Sequence, residues 1–159
     1  MQQATEPKVE FPLASPTIYM EQLSEGAQLV VWSMRQWVVS AQKRRCPGCD
    51  LKPAYARYPV DRAVEYFLRI MNLIANDAKR TIYVQHPEDG LLGADELILL
   101  RMIRLTQRQS PRHAQRLGTQ LIHARAPFMC SIAKAYRGEL EAAGLSLDGW
   151  HEMQLVTMH

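Results

Sequence analysis

AQLVVWSMRQWVVSAQ, residues 27–42, decides the class of this fold. Ala27, Val30, Val31, Met34, Val38 and Ala41 recur at i, i+3, i+4, i+7, the spacing of one helical face. Leu29, Trp32 and Val39 lie on another side. Trp32 and Trp37 are five residues apart, about 140° around a helix of 3.6 residues per turn. A helix with two faces that want burial sits centrally among other helices or shares a face with a partner chain. Central packing is the first expectation, and a homodimer through this helix is the other. Upstream, Ser24 suits the N-cap, or Thr17 does if the helix starts early, and the helix is predicted over 21–42. The run is too short, and with Arg35 too polar, to span a bilayer.

Working outward, residues 1–16 carry Pro7, Pro12 and Pro16 among polar residues and read as an extended N-terminal arm. They show neither a basic n-region nor an apolar h-region, so no signal peptide is expected. Downstream, CPGCDLKPAYARYP (46–59) reads as a loop punctuated by Pro47, Gly48, Pro53 and Pro59. Val64, Phe67, Leu68, Met71 and Ile74 or Ala75 predict a second helix over 60–79. A third is predicted over 94–109, with Asp95 and Glu96 at its positive end. Ser110-Pro111 opens a fourth over 111–125. Pro127 opens a fifth, and Gly144 stands where a left-handed C-terminal cap belongs. No stretch alternates convincingly as a strand. The expected fold is all-α, a single-domain bundle of about five helices over 17–145, with a tail at 146–159.

The chain has 159 residues, 47% of them apolar, and a net charge of +3. That is enough chain for one core without metal or disulfide. An odd count of three cysteines favours a reducing compartment, the cytoplasm, over a secreted disulfide scaffold. No G-x-G-x-x-G, P-loop, H-E-x-x-H or G-x-S-x-G is present, so a non-enzymatic protein is expected.

Charge carries the strongest functional signal. Between Leu97 and Gly138 there is no Asp or Glu, while Arg101, Arg104, Arg108, Arg112, Arg116, Arg125, Lys134 and Arg137 all fall there. Arg101, Arg104 and Arg108 share one face of the third helix and have no carboxylate four residues upstream. Either acids of the first two helices, or solvent, balance them, or an external polyanion does. Arg101, Arg104, Arg108, Arg112 and Arg116 are therefore the candidate docking residues for an acidic protein partner. Nucleic acid is the alternative ligand of the same face, for a DNA-binding regulator. Residues 112–125, RHAQRLGTQLIHAR, resemble the A-x-x-L-G core of the helix-turn-helix family through Ala114, Leu117 and Gly118. Thr119 stands where that family usually has an apolar residue, and Pro127 cuts short the recognition helix. A single helix over 111–125 is better capped.

Cys46 and Cys49 form a C-x-x-C pair behind Lys43, Arg44 and Arg45. Two thiolates at that spacing hold half of a zinc site, whose other two ligands the spacing of the remaining His and Cys does not supply. They also suit a redox pair activated by the adjacent cations, although no βαβ pattern surrounds them. A plain turn with two free thiols is the first reading, ahead of both. A metal- or redox-responsive protein using Cys46 and Cys49 is thus a further functional alternative, with zinc as its cofactor in the metal form. Cys130, within the fifth helix, reads as a small buried hydrophobe.

Overall fold

The computed structural model describes residues 17–106 and 111–148. The chain is all-α. Among the described residues there are six α-helices, one short 3-10 turn at Met20–Gln22, and no strand. The helices are α1 (Glu25–Gln42), α2 (Pro47–Arg57), α3 (Asp61–Asp77), α4 (Ala94–Leu105), α5 (Pro111–Gly118) and α6 (Ala126–Ala142).

Two boundaries correct the reading of the sequence. Residues 46–59 are not a loop: most of them form α2. Cys46 is its N-cap, with Pro47 in the first helical turn, where a missing N–H costs nothing. Leu51 and Tyr55, four residues apart, face the core and are fully buried, and that burial holds an 11-residue helix despite Pro53 in its interior. The helix expected over 111–125 stops at Gly118. A Cβ on Gly118 would lie 3.2 Å from both Ala126 Cβ and Met129 Cε. This glycine therefore marks a close approach of α5 to α6.

Other ends follow local rules. Ser24 caps α1, its hydroxyl accepting the Ala27 N–H at 3.3 Å. α6 ends in a Schellman motif: Gly144 has φ +79°, its N–H donates to Glu141, and the Leu145 N–H donates to the Leu140 carbonyl at 2.9 Å. α1 ends the same way, but with Arg44 in the left-handed position at φ 54°. The Arg45 N–H then reaches the Ser40 carbonyl at 2.8 Å.

The core draws on all six helices through Val30, Met34, Tyr55, Phe67, Leu99, Met102, Ala114 and Tyr136, all essentially inaccessible. α3 and α6 share the most extensive helix–helix interface. A chain of hydroxyls crosses this core. Ser33 donates to the Leu29 carbonyl at 2.6 Å, Tyr55 lies 2.9 Å from Ser33, and Tyr136 lies 2.8 Å from Tyr55. Every hydroxyl has a partner, as burial demands. Trp32 and Trp37 are half-buried and pack against this core from α1.

The long connection between α3 and α4 is pinned by two ion pairs. Arg35 bonds Glu96 and also donates to the Asp89 and Leu91 carbonyls at 2.6 and 2.8 Å. Arg80 pairs with Asp95 at 2.7 Å, and Asp95 also accepts the Tyr83 N–H. No helix among the described residues is long and apolar enough to cross a membrane.

Candidate functional site

The cationic residues found in the sequence separate into two groups. Arg101 and Arg104 on α4 are half-buried, and both have partners within the fold. For Arg104 one is Asp148, whose Oδ1 lies 3.4 Å from its Nε. The other oxygen of Asp148 lies 3.4 Å from Arg137, which also pairs with Glu141 at 2.8 Å. Arg137 is buried, so it belongs to the architecture of α6. Arg108, and Ser110 as the expected cap of α5, lie outside the described residues.

Arg112 and Arg116 are different. Both are exposed on α5, with His113 beside them, while Ala114 and Gly118 on the opposite side are buried. This short helix is strongly two-sided: one side packs, the other is cationic. The fold then adds cations from a distant part of the chain. The turn after α5 runs antiparallel to the end of α3 through the Ala78–Ile122 bridge. Lys79 donates from its backbone to Leu121 at 2.9 Å and from Nζ to the Thr119 carbonyl at 3.3 Å. The Thr119 hydroxyl in turn donates to Arg116. Lys79, His123 and Arg125 are all exposed around this junction. Asp77 is the acid there, and its carboxylate accepts the Ala124 N–H. Lys79 was not recognisable in the sequence as part of this face, because 37 residues separate it from Arg116.

The cysteine pair has a defined setting. Cys46 Sγ accepts the Cys49 N–H at 3.3 Å, the role a Ser or Asp oxygen plays at an N-cap. The Cys49 thiol and this N–H together hold the Cys46 thiol below its ordinary pKa, and Lys52 adds to the effect. As the hydrogen-bond partner of Cys46, Cys49 is pushed up. Both side chains are exposed, and neither is in a disulfide. Asp50, next to Cys49, ties the first turn of α2 to α1: it accepts from the Ser40 hydroxyl and meets Arg45 at 3.2 Å. A groove of about 480 Å³ between α2 and α3 begins at Cys49 and continues past Lys52, Pro53, Ala56 and Val64. A tetrahedral zinc site needs four ligands. Among the described residues no group of three or more His, Cys, Asp or Glu is placed to hold a metal, so the donor set there is incomplete. Cys130 is buried, and burial pushes its thiol up to about 11.

Against these features, no family model, no curated protein and no solved structure matches the chain.

Proposed function

We propose that this protein is a helical adaptor or regulator that docks an acidic segment of a protein partner against the outer side of α5. The observation that carries this reading is the exposed pair Arg112 and Arg116, extended by Lys79 across the α3–α5 junction. Cations gathered on one surface, with Asp77 among them engaged by the Ala124 N–H, create a positive potential, which steers and holds a negatively charged ligand. Arg112 and Arg116 also present planar, multidentate donors, which suit carboxylates better than lysine does.

The test is chemical cross-linking in nuclease-treated native lysate, comparing the natural protein with Arg112→Gln/Arg116→Gln. Cross-links from Lys79 to a Glu/Asp-rich segment of one protein, lost in the variant, support the reading. Capture that disappears with nuclease treatment moves the same face to nucleic acid and defeats the acidic-protein reading.

A further inference from the structure

We propose that Cys46 and Cys49 form a thiol–disulfide exchange site, with Cys46 attacking a peptidyl disulfide and Cys49 resolving the mixed disulfide. The inference is independent of the α5 face and rests on the geometry at the start of α2.

Three features converge there. Cys46 Sγ occupies the N-cap position, where the Cys49 N–H points at it from 3.3 Å and the helix end is positive. An anionic sulfur is favoured at such a position, and the thiolate is the nucleophile. Cys49 follows one turn later on the same helix, beside Cys46, as a resolving thiol must be. The groove between α2 and α3 starts at Cys49, so a peptide bearing the attacked disulfide has a concave surface to lie on. Pro53 lines that groove, and having no N–H it cannot give the Cys49 carbonyl its usual helical bond.

The chemistry balances with the disulfide itself as oxidant. Cys46 gives its proton to water, and the resulting thiolate attacks one sulfur of R–S–S–R. That bond breaks, RS⁻ leaves and takes a proton from water, and a Cys46–S–S–R bond forms. Cys49 then gives its proton to water and attacks Cys46 Sγ, expelling the second RS⁻, which is protonated in turn. The protein dithiol has lost two electrons and two protons; the substrate has become two thiols. The reverse sequence reduces the protein again in the presence of excess thiol.

The experiment uses the full chain, purified reduced and without chelator, with glutathione disulfide and a disulfide-linked dimer of a short cysteine peptide as probes. Mass spectrometry of the alkylated protein should show an intramolecular Cys46–Cys49 disulfide that excess thiol reverses. Cys49→Ser should trap a mixed disulfide on Cys46. Cys46→Ser should react at least roughly tenfold more slowly at Cys49, because that thiol lacks the helix-end position. Cys46→Ser keeps a good capping side chain, so both variants retain α2. Equal rates with the two probes contradict a protein-borne disulfide seated in the groove. A peptide advantage abolished by Ala56→Arg in the groove assigns it to protein-borne ones. The proposal is overturned by equal reactivity of the two single variants, by absence of the intramolecular disulfide, or by one zinc per chain released on thiol modification.

Discussion

Arg35 of α1 grips Glu96 of α4 through two hydrogen bonds, Nε to Oε2 at 2.7 Å and Nη2 to Oε1 at 3.0 Å, with both side chains almost wholly buried. Glu96 Oε1 also accepts the Gly93 N–H at 2.8 Å, so one carboxylate both caps α4 and neutralises a buried guanidinium. Glu96→Ala leaves that charge buried without its partner and is expected to lower stability by about 3–5 kcal/mol. The double replacement Arg35→Met/Glu96→Leu should cost less than Glu96→Ala alone, since no charge is stranded. Chemical denaturation of the three proteins measures this; a loss below about 1 kcal/mol for Glu96→Ala would show that water reaches the pair.

Tyr55 and Tyr136 give the fold a pH dependence of known sign. Burial pushes both phenols well above their ordinary range, so the folded chain keeps both protons at pH values where the unfolded chain loses them. Their contribution is fully present below about pH 10 and falls as pH rises beyond it, by about 1.4 kcal/mol per pH unit for each tyrosine. Denaturation between neutral pH and pH 11 should show this decline. The variant Tyr55→Phe/Tyr136→Phe should show a shallower one, and parallel curves for the two proteins would contradict the assignment.

Arg44 holds a left-handed conformation that glycine adopts without steric cost, at the Schellman turn leading to Cys46. Arg44→Gly is expected to stabilise the chain by about 0.5–1 kcal/mol, relief of the left-handed strain outweighing the entropy glycine adds to the unfolded state. Arg44→Val should destabilise it. Melting curves of the two variants shifting in the same direction would mean that the turn rearranges.

What the sequence revealed follows from the range of the interactions involved. The helical class, the Ser24 cap of α1 and the left-handed Gly144 after α6 depend on residues within one or two turns of each other, and all were legible. α2 was missed because Pro47, Gly48 and Pro53 look like loop punctuation. Its signal was present in the cap position of Cys46 and the i, i+4 pair Leu51 and Tyr55. The early end of α5 depends on the approach of Gly118 to Ala126 and Met129, which periodicity within the helix does not register. Arg104–Asp148 and Arg35–Glu96 join residues far apart in the chain, as does the meeting of Lys79 with Thr119. Arg35 alone carried a hint, since a charge inside a densely apolar helix calls for a buried counter-charge.

The docking role proposed for α5 is tested most directly by fluorescence anisotropy of labelled polyglutamate at low and high salt, with thermal melts run in parallel. The natural protein should bind at low salt and release the probe as salt rises. Arg112→Gln/Arg116→Gln should bind roughly tenfold or more weakly at low salt, with an unchanged melting curve, because exposed charges contribute little to stability. Undiminished binding by this variant would contradict the account, as would a large loss of melting temperature, which would return Arg112 and Arg116 to the architecture of the fold.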